Sequence, residues 1–495
     1  MSRISVTNLT FAYDGSYDTI FENVSFQLDT DWKLGFTGRN GRGKTTFFNL
    51  LMGNYEYRGK ISADVQFDYF PFNVPDKSLC TYDVVNDMIP DFRYWELSRE
   101  LSLLRVSEDI LYRPFDTLSN GEQTKVLLAA LFLKENHFLL IDEPTNHLDM
   151  ESRQCVSDYL NAKKGFILIS HDRAFLDSCV DHILSINRAN IEIQKGNFSS
   201  WWENKQMRDH FEITQNEKIK KDIQRLSNAA KRTAEWSDAA ESRKIGFDPQ
   251  KTEKSMARRP TEGAKAKKMM ARSKAIQTRQ IAAIQGKSKL LKNIEKSDSL
   301  KITSLGFHTD TLVALEGITI AYGEKIVCRD VSFTVEQGER VALSGQNGSG
   351  KSSLIKLICG EGIPYTGRLR KSGQLKISCV SQDTSHLRGG LTDYAEAHGI
   401  DESLFKAILR KLDFSRAQFE KNMGDFSGGQ KKKVLIARSL CEQAHLHIWD
   451  EPLNFIDVLS RMQIEELLLE YTPTLLFVEH DREFCGNIAT KMIEL

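Results

Sequence analysis

Apolar residues fall in short consecutive runs towards both ends of the chain and at helical spacing in its middle. WKLGFT and ERVALS each lead into a glycine-rich turn and then into an amphipathic segment, FFNLLM and LIKLIC. The order implied is strand, glycine loop, helix. Further on, FLLIDEP and LHIWDEP, then ILISHD and LFVEHD, each end an apolar strand in polar, mostly charged residues. In the middle the pattern changes: Ile219, Ile223, Leu226 and Ala230 recur at spacings of four, three and four in a segment without proline. This stripe predicts a helix from near Ser199 to a break at 246–249, a rod of roughly 65 to 70 Å at about 1.5 Å per residue. A second helix is expected from Pro260 or Thr261 back to about Ile294, with Pro260 suited to its first turn. Together the two make an antiparallel helical hairpin.

The flanks repeat each other. GRNGRGKTT (38–46) recurs as GQNGSGKSS (345–353), which puts Lys44 and Lys351 307 residues apart. FLLIDEPTNHLD and LHIWDEPLNFID put Glu143 and Glu451 308 apart, and His171 and His480 are 309 apart. Three pairs at nearly constant offset indicate a duplicated ATPase cassette. The loops suit polyphosphate: glycines let backbone N–H groups approach the oxygens, the following helix adds positive potential, and the lysine adds a full charge. The candidates are Gly38, Asn40, Gly41, Gly43, Lys44, Thr45 and Thr46 in the first loop. Their counterparts are Gly345, Asn347, Gly348, Gly350, Lys351, Ser352 and Ser353. Thr45 with Asp142, and Ser352 with Asp450, are expected to hold Mg²⁺, while Glu143 and Glu451 polarise the attacking water as general bases.

LSNGEQTKV and FSGGQKKKV place Ser119 and Ser427 each 24 residues before their glutamate. Both stretches resemble the ABC signature, in which a serine and glycine amides at a helix start cap the γ-phosphate held by the opposite cassette. By that resemblance, one composite site joins Lys44, Asp142, Glu143 and His171 to Ser427 and Gly429. The other joins Lys351, Asp450, Glu451 and His480 to Ser119 and Gly121. Tyr13 and Tyr322 lie 25 and 23 residues before their glycine loops, where ABC proteins stack an aromatic ring on adenine. Core packing is the alternative for both. The halves also differ. Gln382 in ISCVSQD stands where ABC proteins carry a glutamine for Mg²⁺ and water, but FDYFPFN offers Phe72, unless a shifted alignment brings Gln66 there. Asn120 replaces the first signature glycine, and Leu453, Phe455 and Ile456 depart from the EPTNHLD of the first half. Both sites keep their catalytic groups.

A chain of 495 residues, 40% hydrophobic, exceeds one compact core. The expected class is α/β, with a first ATPase domain over 1–196, a basic helical hairpin over 197–300 and a second ATPase domain over 301–495. No apolar run approaches the roughly 20 residues of a membrane span, and MSRISVTNLTFAYDG reads as a strand and turn rather than a signal peptide. A cytosolic location is expected. The eight cysteines include no CxxC pair, which argues against a zinc site and against the excision-repair type of ABC ATPase. Net charge is zero overall, yet residues 201–300 carry 24 Lys and Arg against 13 Asp and Glu. Such segregation points to a polyanion, a solvated charged helix being the alternative.

Tandem cassettes with no transmembrane segment, EPTNHLD in the first and a basic helical linker between them resemble the ABC-F family. That resemblance implies ATP and Mg²⁺ as cofactors and the bacterial ribosome as partner, at its E site, against 23S rRNA and the P-site tRNA. It also implies a monomer with an intramolecular ATP sandwich, without membrane or transmembrane subunit. Arg243, Lys244, Lys251, Lys254, Arg258, Arg259, Lys265, Lys267, Lys268, Arg272 and Lys274 become candidate RNA contacts. Phe247 and Met256 are the candidates nearest a drug. YRPFDTLSNGE, GFILISHDRAFLD, TAEWS and IWDEPLNFID further resemble the Lsa-type antibiotic-resistance subgroup, which implies protection against lincosamides, streptogramin A and pleuromutilins. The alternative within the family is a translation factor that relieves stalled ribosomes without drug protection. A transport ATPase would need a separate membrane subunit and has no use for the basic hairpin.

Overall fold

The computed structural model describes residues 3–13, 19–90, 92–146, 148–187, 190–245, 267, 268, 271, 274–276, 278, 279, 305–323, 325–346 and 348–495, with side chains in 190–245 given to 229 and at 231 and 232. The chain forms two compact units, one of Met1–Trp201 with Ser299–Leu495 and the other of Trp202–Asp298.

The first unit contains the two cassettes. Each has a three-stranded antiparallel sheet beside a mainly parallel one. In the first cassette the parallel sheet runs Gln66–Phe70, His137–Asp142, Phe166–Ile169, Lys33–Thr37, His182–Asn187, with Asn190–Lys195 added antiparallel at the edge. In the second it runs Ile377–Val380, Leu446–Asp450, Leu475–Val478, Arg340–Ser344, Lys491–Glu494, all parallel. The central strands are apolar from end to end because both faces are covered, and Phe166–Ile169 and Leu475–Val478 are buried at every position. This order sets the glycine loop, the Asp-Glu pair and the histidine at the carboxyl ends of three neighbouring strands, where open α/β sheets bind ligands.

Strand pairing settles the alignment of the two halves. Phe70 pairs with Ile141 and Val380 with Trp449, each one residue before the aspartate, so Phe72 is the counterpart of Gln382. Gln66 pairs with His137 at the far end of its strand and cannot fill that place.

The signature serines open helices Asn120–Leu131 and Gly428–Cys441 as N-caps. Each forms a capping box with the residue three positions on, Glu122 or Gln430. The four orphan amides of a helix start thus face the cleft, one of them already satisfied by the serine.

The second unit begins in a helix, Phe198–Ile245, of 48 residues. Ile219, Ile223 and Leu226 are half-buried along it, whereas Lys218, Lys220 and Lys221 are exposed. Trp201, which belongs to the first unit, is buried against Phe198 with ring centroids 5.4 Å apart. Lys267, Lys268 and Lys274 are helical and exposed. Phe247, Lys251, Lys254, Met256, Arg258, Arg259, Lys265 and Arg272 lie outside the described residues, as do the side chains of Arg243 and Lys244 and the pairing of the expected hairpin.

Candidate active site

Each glycine loop closes onto a helix start, Lys44–Leu51 or Lys351–Cys359, through a glycine in the left-handed region, Gly43 at φ 95 and Gly350 at φ 93. A side chain at Gly43 would be strained there, and its Cβ would meet Ile20 at 2.5 Å. The lysines are tied back over their loops. Lys44 Nζ donates to the carbonyls of Gly38 at 2.7 Å and Arg39 at 3.3 Å and to Asn40 Oδ1 at 3.2 Å, and Lys351 Nζ to those of Gly345 at 2.9 Å and Gln346 at 2.8 Å. Burial pulls both below the usual lysine range, against the pull of nearby carboxylates. A phosphate at the helix start would give each ammonium the full counter-charge that these carbonyls only partly supply.

Thr45 Oγ1 donates to Asp142 Oδ2 at 3.2 Å, and Ser352 Oγ to Asp450 Oδ1 at 3.2 Å. Hydroxyl and carboxylate therefore meet beside the phosphate position, the oxygen donors Mg²⁺ takes together with substrate phosphates and water. Among the described residues no group of three or more His, Cys, Asp or Glu could hold a metal without such help. Burial and the adjacent glutamate raise both aspartates from the ordinary carboxylate value, against the opposing pull of Lys44 on Asp142 and of Lys432 and Lys356 on Asp450.

Glu143 and Glu451 follow with positive φ, 51 and 45, a conformation few non-glycine residues adopt. The backbone turn swings their carboxylates towards the histidines. His171 Nε2 lies 2.5 Å from Glu143 Oε1, and Asn146 donates to Oε2 at 3.0 Å. Burial works against the charge of Glu143, but the His171 contact outweighs it and holds the carboxyl at about 2. In the second cassette Glu451 is lowered first by His480, whose Nε2 lies 3.7 Å from Oε1, and Asn454 donates to it at 2.6 Å. Gln382 Nε2 adds a donor at 2.8 Å.

The cassettes complete each other's clefts. Asn40, Gly41, Thr45, Asp142 and Glu143 line one of about 510 Å³ with Ser427, Gly428, Gly429 and Phe455. Gln382, Glu451, Asn454 and His480 line another of about 530 Å³ with Ser119, Asn120, Gly121 and Lys125. Both are large enough for a nucleotide. Asn40 Nδ2 donates to the Phe455 carbonyl at 2.8 Å and Arg39 pairs with Asp413, so the first cleft is bridged directly. Arg173 joins Glu465 and Glu483 of the other cassette, and at the second cleft Arg153 donates to the His480 carbonyl at 3.2 Å. Asn347 lies outside the described residues.

Tyr13 and Tyr322 are 42% and 47% exposed, which removes core packing as their role. Their hydroxyls reach Thr46 Oγ1 at 2.8 Å and Ser353 Oγ at 3.2 Å, beside the glycine-loop helix. Tyr13 also meets Tyr55 edge-on at 5.8 Å. Tyr55 carries no motif and escapes sequence reading. So does Tyr69, whose hydroxyl donates to Asp142 Oδ2 at 3.1 Å from the position that Cys379 fills in the second cassette. Lys432 is a third omission: it bonds the carbonyls of Ser381 and Glu451 at 3.0 and 3.1 Å and ties the backbone just before Gln382 to that of the glutamate.

Residues 21–146 and 328–454 match the family described as ABC transporter. The chain is 29% identical to the ribosome protection protein VmlR of Bacillus subtilis (strain 168), over 97% of this chain and 84% of the relative. It is 25% identical to the energy-dependent translational throttle protein EttA of Escherichia coli (strain K12), over 96% and 89%. Among solved structures it resembles the RNase-L inhibitor, with a TM-score of 0.63 and 16% identity over 99% of this chain and 87% of that one, a likeness of fold. No helix among the described residues is long and apolar enough to cross a membrane. Two cassettes with loop, carboxylate and signature elements, matched over half the chain, make an ATP-hydrolysing enzyme: the chain belongs to the ABC transporter family.

Proposed function

We propose that this chain is a cytoplasmic ABC-F ATPase that binds the bacterial ribosome at the E site and brings its linker near the P-site tRNA and the peptidyl transferase centre. There it dislodges lincosamide, streptogramin A and pleuromutilin antibiotics, and ATP hydrolysis drives its release. The observation that carries the reading is the pairing of two composite ATP clefts in one chain with a basic helical segment between the cassettes. ATP joins the cassettes and hydrolysis parts them, while the 24 Lys and Arg of residues 201–300 suit RNA phosphate. Similarity to a protein named for ribosome protection supports the drug-directed part. In each cleft the signature serine and glycine amides face the γ-phosphate, the lysine meets the β- and γ-phosphates, and the glutamate takes a proton from water held by the histidine.

A second reading, relief of stalled ribosomes without drug protection, draws on the similarity to a translational throttle protein. Bacterial cell-free translation inhibited by a lincosamide decides between them. Recovery of synthesis on adding the protein with ATP supports protection. Co-sedimentation with ribosomes but no recovery under any of the three drug classes supports the second reading, and absence of ATP-dependent co-sedimentation overturns both.

A further inference from the structure

The glycine-loop helix of the second cassette ends in Cys359, and the strand leading to Gln382 carries Cys379. Their sulfurs lie 2.8 Å apart. All eight cysteines are free, and the hydrogen bonds of four others run from sulfur to a backbone carbonyl, at Leu111 for Cys80, Leu103 for Cys155, Phe175 for Cys179 and Glu479 for Cys485. Cys359 and Cys379 are instead aimed at each other, less than an ångström beyond the covalent S–S length of about 2.05 Å. Both are half-buried rather than sealed in the core. Lys371 Nζ, held by the Leu357 carbonyl at 3.3 Å, acts on both thiols, and the Arg438 guanidinium donates to the Cys379 carbonyl, with Glu442 and Glu361 opposing them. The hydrogen bond from Cys359 favours thiolate at Cys379 and leaves the proton on Cys359.

We propose that Cys359 and Cys379 are a redox-reactive pair that hydrogen peroxide converts to a disulfide within the second cassette. The Cys379 thiolate attacks one peroxide oxygen, the O–O bond breaks, and hydroxide leaves to become water as Cys379 becomes the sulfenic acid. The Cys359 sulfur then attacks that sulfenic sulfur, the S–S bond forms, and the hydroxyl departs as a second water with the proton lost from Cys359. Two thiols and one peroxide give one disulfide and two waters. The bond ties the C-terminal end of the helix that presents Lys351 and Ser352 to the strand three residues before Gln382. It is a property of the second cassette alone, since Met52 and Tyr69 hold no such sulfur pair.

The full-length protein, reduced and freed of reductant, is treated with hydrogen peroxide, unfolded, alkylated and examined by mass spectrometry. A mass loss of about 2 Da before alkylation is expected. Eight thiols less the bonded pair should leave six to alkylate, with a Cys359–Cys379 linked peptide that dithiothreitol removes. The Cys379→Ser protein should give no linked peptide. Eight alkylated thiols, a sulfinic acid at Cys379 without the crosslink, or a crosslink between other cysteines overturns the proposal, and the wild-type result stands whether or not the variant folds.

Discussion

The Tyr69 hydroxyl and Thr45 Oγ1 both donate to Oδ2 of Asp142, at 3.1 and 3.2 Å. Burial and then the charge of Asp142 hold the Tyr69 proton in place, far above the tyrosine range. Among the described residues Asp450 has only the Ser352 side-chain donor, since Cys379 replaces the tyrosine. Tyr69 therefore helps keep the first aspartate ionised against burial and against Glu143.

Tyr69→Phe removes that donor without changing the ring. Protons then compete better for Asp142, and with Lys351→Ala removing the phosphate-binding charge of the second site, nucleotide binding at the first should need about threefold to tenfold more Mg²⁺, on the order of 1 kcal/mol for a hydrogen bond to a charged group. The Mg²⁺ titration should also move to higher pH. An unchanged titration would leave Tyr69 a packing residue.

Glu143→Gln with Glu451→Gln keeps both lysines, both hydroxyl–aspartate pairs and both signature serines while removing the two carboxylates held by His171 and His480. ATP should bind as in wild type, and turnover should fall about a hundredfold or more, the range for losing a general base. Equilibrium nucleotide binding and steady-state phosphate release check the two halves of this statement. Near wild-type turnover would remove the glutamates from their assigned role.

The two sites should not contribute equally. Phe72 deprives Glu143 of the donor that Gln382 gives Glu451 at 2.8 Å, and Phe455, with φ 65, enters the same first cleft. Both departures from the cassette pattern thus converge on one composite site. Glu451→Gln alone is expected to depress turnover at least about threefold more than Glu143→Gln alone. Equal losses or the reverse order would mean that Phe72 leaves the first site intact.

What was legible before the structure follows from what repeats. Lys44, Glu143, His171 and Ser119 recur at offsets of 307 to 309, so duplication exposed them, and apolar runs placed them on strand ends. The first helix of the linker was legible from its unbroken stripe. Tyr69, Tyr55 and Lys432 were not, because each acts through a contact remote in sequence: Tyr69 lies 73 residues from Asp142. Gln66 remained an option for the glutamine place because a short strand can slide in an alignment, and only the pairing of Phe70 with Ile141 fixes it. The Cys359–Cys379 contact belongs to the same class, two ordinary half-buried thiols until the fold brings them together.

His447 gives a pH prediction independent of the nucleotide. It replaces the Leu139 of the first half within a buried strand, 5% exposed, and bonds Ser439 at 3.0 Å. Burial lowers it from 6.5 to about 4. The unfolded chain therefore takes up this proton first, so the contribution is fully present above about 6.5 and is lost as pH falls towards 4, by about 3 kcal/mol in all. His447→Leu should flatten that limb of the urea-unfolding midpoint against pH. A limb that keeps its slope in the variant would assign the acid sensitivity elsewhere.

The last prediction concerns ARRPTEGAKAKKMMARSK (257–274), seven basic residues against one acid. Lys267, Lys268 and Lys274 are helical and exposed, so their charge is available to a partner. Replacing Arg258, Arg259, Lys265, Lys267 and Lys268 by Ala removes up to five phosphate contacts. Ribosome affinity should fall, and the slope of log affinity against log salt should flatten by up to about 4. ATP binding should be untouched, because the described residues that line the two clefts all belong to the cassettes. Phe247→Ala with Met256→Ala should act differently, sparing ribosome binding and ATP turnover while altering drug protection, since apolar side chains between the two expected helices would act locally on RNA or drug rather than through charge. Unchanged affinity and salt slope in the basic variant would make the charge a solvated face. Full lincosamide and pleuromutilin protection in both variants would show that this segment does not work beside the drug.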